Sequence, residues 1–196
     1  GLDLAKMGYQ PTIFERREEL GGMLVGAIPP YRLPRELITK DIEEILSYGI
    51  ELKKGVEIGK DFSLSDIFPK DFKAVLLAVG LRESRSLSLP GIDGLKVILA
   101  LPFLEDVSFN KKITLGREVL VIGGGNVAMD VARTAVRLGV PKVKAVCLES
   151  RPEMPAWEWE IEEAAEEGVE FIYSRGPKKI ISSGHKITGL EVMEVK

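Results

Sequence analysis

The sequence predicts an α/β fold built from strand–helix–strand units, and three observations carry that expectation. Short apolar runs ending at glycines alternate with amphipathic stretches of helical period. Between Gly116 and Glu149 a strand, a triple-glycine turn, a helix and a second strand follow in order. The composition is that of an ordinary folded protein, 45% apolar and 29% charged over 196 residues. At roughly 100–200 residues per domain, this length allows one domain or two small ones.

Each element has a local cause. Leu2 to Met7 reads as the end of a helix stopped by Gly8. Tyr9 to Glu15 is a short strand with an acid at its end. Leu20-Gly21-Gly22-Met23-Leu24 is a flexible loop, and Ile28 to Pro34 is stiff and hostile to helix. Arg35 to Tyr48 is an amphipathic helix with Leu37, Ile38, Ile42, Ile45 and Leu46 as its stripe, stopped by Gly49. Ile50–Lys53 and Gly55–Gly59 alternate like strands, and Phe72 to Gly80 reads as a buried parallel strand. The polar stretch 81–117, with turns at Pro90-Gly91 and Asp93-Gly94, is the expected domain crossing, with a short helix around Ile98 to Val107. Beyond it come a strand at Glu118–Ile122, a helix at Asn126–Leu138 and a strand at Val143–Leu148. An acidic helix, Trp157–Glu167, places Trp157, Ile161, Ala164 and Ala165 on its core face and Trp159 on the other. A strand at Val169–Tyr173 and a hairpin turning at Ser183–Lys186 complete the pattern.

Composition narrows the function classes. A net charge of −3 offers no basic face, so no nucleic-acid partner is expected. No apolar run approaches the ~20 residues that span a bilayer, and no signal-peptide pattern opens the chain, so a cytoplasmic protein without a membrane partner is expected. A single cysteine, Cys147, excludes an internal disulfide and a cysteine-ligated iron–sulfur cluster within this chain. No catalytic triad and no metal-ligand spacing is visible. The lone histidine, His185, reads as exposed in the hairpin turn, and Cys147 as a small buried hydrophobe.

The chemistry sits in Gly123-Gly124-Gly125-Asn126-Val127-Ala128, which fits G-x-G-x-x-G/A. Gly123 permits the tight turn, Gly125 lets a pyrophosphate approach the backbone, and Ala128 lets helix and strand pack closely. The helix N-terminus offers unpaired N–H groups to phosphates. A glycine-rich turn without ligand is the competing reading, made weaker by the entropy cost of three glycines. Glu149, at the end of the second strand, accepts from ribose hydroxyls and repels a 2′-phosphate, favouring NAD over NADP. Arg151 works the other way, and a solvated strand-end acid remains an alternative for Glu149. Residues 1–15 repeat the tail of the same unit, with Glu15 in the ribose position and without the glycine loop and first strand before it.

These residues resemble a known family. Ile13-Phe14-Glu15, Gly21-Gly22-Met23-Leu24 and Ile28-Pro29-Pro30-Tyr31-Arg32-Leu33-Pro34 match the FAD domain of the glutamate synthase small (beta) subunit. Further matches to that subunit are Leu77-Ala78-Val79-Gly80, Pro90-Gly91, the run from Gly123 to Arg133, Glu153-Met154-Pro155-Ala156 and Glu166-Glu167-Gly168-Val169. The pattern is shared by FAD-dependent pyridine nucleotide oxidoreductases, including the amino-terminal half of dihydropyrimidine dehydrogenase. The resemblance implies two Rossmann-like units, both truncated: a partial FAD domain over 1–108 and a partial NAD(P) domain over 109–196. It implies hydride transfer from NAD(P)H to FAD, with electrons passed through iron–sulfur clusters outside this chain to an electron-accepting subunit or domain. Gly21, Gly22 and Arg32 would lie along the flavin and its phosphates, Gly80 would end a strand near the FAD, and Asn126 would lie by the NAD(P) pyrophosphate. NADPH-using members carry paired arginines where this chain has Leu148-Glu149, which points to NADH. On this reading the isolated chain is inactive. The alternative is a non-catalytic nucleotide-binding or subunit-docking module.

Overall fold

The computed structural model describes residues 1–67, 72–81, 83–84, 86–92, 94–95 and 97–195. The chain forms two compact units, Gly1–Arg82 and Glu83–Lys196. The division falls at the start of the polar stretch 81–117 and groups residues 83–108 with the second unit. Helix α4 (Ala100–Ser108, the fourth in the chain) explains this: Phe103 and Leu104 are buried, and it packs on the helix that follows the glycine turn.

The first unit contains α1 (Leu2–Lys6), β1 (Thr12–Glu15), α2 (Met23–Gly26), α3 (Arg35–Leu46) and β2 (Glu51–Lys54). β1 and β2 pair in parallel, with Thr12 opposite Glu51 and Glu15 opposite Lys54. α3 buries Ile38, while Leu37, one residue and about 100° round the helix, is exposed. The expected flexible loop at 20–24 is partly helical instead. The Arg35 guanidinium holds that helical turn by donating to the carbonyls of Leu24 at 2.7 Å and Ile28 at 3.3 Å.

Two strand expectations fail here. Residues 55–59 form a turn with one isolated bridge, Ile58 to Phe62. Residues 72–80 form no strand, and Leu76 is 82% exposed. An apolar run becomes a buried strand only when neighbours on the sheet receive its N–H and C=O groups. Among the described residues the first unit's sheet consists of β1 and β2, and no strand pairs with this run. The turn expected at Asp93-Gly94 lies partly outside the described residues, which omit Asp93.

The second unit follows the expected order closely. β3 (Glu118–Ile122), β4 (Lys142–Val146) and β5 (Glu170–Ile172) form a parallel sheet in the order β3-β4-β5. Glu118 stands opposite Lys142, and Lys144 opposite Glu170. α5 (Asn126–Arg137) and α6 (Glu158–Glu166) connect the strands, and β6 (Arg175–Ser183) pairs antiparallel with β7 (Lys186–Glu194). Met129, Ala132 and Ala135 of α5 are wholly buried against Val143, Ala145, Ile161 and Ala164. Pro90-Gly91 docks on the hairpin, where Ile180 N–H donates to Pro90 O at 2.9 Å. Gly91 has positive φ, and a Cβ there would overlap the Ile180 carbonyl. His185 is exposed in the hairpin turn. Among the described residues no helix is long and apolar enough to cross a membrane.

The expected core position of Trp157 is a correction: it is 64% exposed. Trp157 is the N-cap of α6, with φ −60° and ψ 139°, so it does not share the helical phase of Ile161 and Ala164. Glu160 fills the inner face instead, 1% exposed.

α5 and α6 are clamped by charge. Arg133, 6% exposed, donates to Glu163 at 2.5 Å and to Glu167 at 2.6 and 2.9 Å. Arg137 adds bonds to Glu167 at 2.7 and 3.1 Å. Burial pushes the Glu167 carboxyl upward, but the hydrogen bonds from Arg137 and Arg133 outweigh it and hold it below the ordinary value near 4.5. A depressed carboxylate stabilises the fold above its unfolded value, and that contribution is lost as pH falls through the folded one. Removing one partner of a fully buried pair costs roughly 3–5 kcal/mol. Glu163 is half-exposed and its charge screened, so Arg133→Met is expected to cost about 2 kcal/mol in urea unfolding at pH 7. The same measurement at pH values below 4.5 should show a smaller acid-induced loss in the variant than in the parent.

Candidate functional site

The glycine turn lies at the carboxyl edge of the parallel sheet, between β3 and α5. Open α/β sheets bind ligands at that edge. Gly123 has φ +135°, a conformation side chains avoid, and its N–H donates to Val146 O at 2.9 Å. A Cβ on Gly123 would stand 3.6 Å from the Ala128 Cβ, so strand and helix meet here through two small residues. Gly125 is the N-cap of α5, and no side chain caps that helix. A Cβ on Gly125 would meet nothing closer than Pro155 Cγ at 4.0 Å, which leaves room beside the helix N-terminus. Val127, in the first turn of α5, is exposed at the same end.

The structure brings Glu149 to this turn. Past the end of β4, Cys147 N–H donates to Ile172 O at 2.9 Å, Arg175 N–H to Cys147 O at 2.9 Å, and Ser174 N–H to Glu149 O at 3.0 Å. These bonds carry the strand direction beyond Val146 and deliver the Glu149 carboxylate over Gly124. A Cβ on Gly124 would stand 2.9 Å from Glu149 Oε2 and 3.4 Å from Cys147 Cβ. Cys147 is fully buried. Burial, then the Glu149 charge, push its thiol up to about 11, so it stays protonated at neutral pH and inert.

Two expected site residues are otherwise engaged. Arg151 donates to Glu158 at 2.5 Å. Asn126 accepts the Trp157 N–H on its side-chain Oδ1 at 3.0 Å, and Ala156 N–H donates to Gly124 O at 3.1 Å. The segment from Met154 to Trp157 is therefore stitched onto the glycine turn. Its motif is visible in the sequence, but its role is not, because the hydrogen bonds span about 30 residues.

In the first unit, Glu15 ends β1, and its carboxylate accepts Arg17 N–H at 2.9 Å. Gly21, φ +107°, is a packing residue: a Cβ there would crowd Val25 at 2.7 Å and Ile38 at 3.1 Å. Gly22, φ +52°, has open space in that direction. Arg32 is half-buried after the Pro29-Pro30 turn. Gly80 has φ +74° and is exposed, but it ends no strand, contrary to expectation.

The profile of the pyridine nucleotide-disulphide oxidoreductase family matches residues 3–196. The chain is 38% identical to the NADPH-Fe(3+) oxidoreductase subunit beta of Geobacter sulfurreducens, over 98% of this chain and 29% of that protein. It is 34% identical to the glutamate synthase [NADPH] small chain of Escherichia coli, over 98% of this chain and 43% of that protein. The chain thus spans less than half the length of these relatives. A solved structure of FprA from Mycobacterium tuberculosis superposes with a TM-score of 0.79 at 16% identity, over 98% of this chain and 59% of that one, and shows the same fold.

Asn126→Ala removes the acceptor of the Trp157 N–H. The expected result is a loss of about 1 kcal/mol in stability, read by thermal unfolding, with a shift in tryptophan emission as the α6 N-terminus loosens.

Proposed function

We propose that this chain, which belongs to the pyridine nucleotide-disulphide oxidoreductase family, contributes the pyridine-nucleotide site and part of the FAD site of a flavin-dependent oxidoreductase of the glutamate synthase small-subunit type. The observation that carries the reading is the Glu149 carboxylate beside Gly124 at the uncapped N-terminus of α5. In this reading the free N–H groups of α5 bind the pyrophosphate. Gly125 leaves the space for its approach, and Glu149 receives the adenosine ribose. In the first unit Glu15 receives the other ribose, while Gly22 and Arg32 line the flavin side. A bound flavin would supply the redox chemistry, as acceptor of hydride from the nicotinamide. The residues of this chain orient the two cofactors. A partner subunit would be the electron acceptor, in keeping with the subunit and small-chain names of the relatives.

The same carboxylate supports NADH over NADPH, although these relatives carry NADPH in their names. A 2′-phosphate at Glu149 would meet like charge, and the Arg151 guanidinium is paired with Glu158. Titration by tryptophan fluorescence should give tighter binding of NADH than of NADPH. Glu149→Arg should narrow or reverse the difference. Equal affinities before and after the change would remove Glu149 from cofactor choice.

The isolated chain is expected not to turn over. In the first unit the run 72–80, whose Gly80 the resemblance places near the FAD, forms no strand, and its Leu76, Leu77 and Val79 are exposed. Flavin absorbance of the purified chain, followed on addition of NADH, checks this. A stoichiometric flavin that bleaches would overturn the inactivity.

A further inference from the structure

We infer that Gly124, the middle glycine of the turn, is a positioning residue for cofactor choice: its missing side chain is the space in which the Glu149 carboxylate sits. The motif gives the other two glycines their jobs. Gly123 needs its positive φ, and Gly125 leaves room for a pyrophosphate. Gly124 meets neither requirement. Its φ lies outside the left-handed region, so its backbone is open to any residue. It is buried, with its carbonyl held by Ala156 N–H. What a Cβ would strike is Glu149 Oε2 at 2.9 Å, closer than a Cβ tolerates, whereas Cys147 Cβ and Sγ, at 3.4 and 3.6 Å, are in ordinary contact.

The obstacle is the tip of a flexible side chain, while the backbone of Glu149 is fixed by Ser174 N–H. A methyl at 124 therefore leaves the fold in place and turns the carboxylate away from the turn. The inference rests on the reading of Glu149 as the ribose acid.

The experiment is a binding cycle on the 196-residue chain, with NADH and NADPH titrated by tryptophan fluorescence and folding checked by circular dichroism. The forms compared are the parent, Gly124→Ala, Glu149→Gln, the double variant and Gly125→Ala. Gly124→Ala should remain folded and narrow the NADH/NADPH affinity ratio by roughly tenfold, the scale of one hydrogen bond to a charged group. Added to Glu149→Gln, it should change the ratio no further, because both act through one carboxylate. Gly125→Ala should weaken both nucleotides alike. If Gly124→Ala also weakens both by the same factor, Gly124 serves only close approach and the inference fails. An additive effect in the double variant overturns it too, since Gly124 would then act independently of Glu149. An unfolded Gly124→Ala protein overturns it by showing that the carboxylate cannot yield. A parent chain that binds both nucleotides equally refutes the reading of Glu149 itself, and the inference falls with it.

Discussion

The second unit depends on the turn at Gly123, which joins β3 to α5 in a conformation that side chains avoid. Gly123 turns the chain at a φ of +135° and lets Ala128 approach the strand. Gly124 lies buried among Cys147, Glu149 and the Ala156 N–H. Gly125 opens the helix N-terminus without capping it. From that turn α5 buries Met129, Ala132 and Ala135 completely against the sheet. The same close packing aims the helix N–H groups at the sheet edge, where anions are favoured. Fold and site thus share one cause.

Charge completes what apolar packing begins. Arg133 lies on the inner side of α5 and is satisfied from α6 by Glu163 and Glu167, so its burial joins the two helices. That junction holds the start of α6, whose Trp157 N–H reaches Asn126, against the glycine turn. The structural clamp and the candidate binding edge therefore lie at the two ends of the same helix pair.

The first unit is organised differently. Among the described residues its large buried aliphatics are Ile38, Ile50 and Ile67, and its sheet has two strands. Local anchors hold it together: Arg35 binds the carbonyls of Leu24 and Ile28, and Gly21 leaves the space that a Cβ would take beside Val25 and Ile38. A two-stranded parallel pair with so small a core gains little from burial. This agrees with the exposed apolar run from Leu76 to Leu81.

The sequence by itself determined the elements whose causes are local. The βαβ order, the glycine turn, the hairpin around Ser183–Lys186 and the boundaries of β3 were legible because period, turn residues and helix stops act over a few residues. Phe72–Gly80 read as a strand because its composition suits a buried sheet, but a strand needs neighbours, which composition does not supply. Helical spacing puts Trp157 in the core only if the helix is run back one residue, onto its cap. The tertiary structure alone decided that Glu160 and Arg133 are buried and that Asn126 holds a backbone N–H of α6. It also decided that Glu149 lies over Gly124. These placements join residues some 25 to 34 apart in the chain. They are set by how the helices and strands pack, and short-range sequence pattern carries no information about such distances.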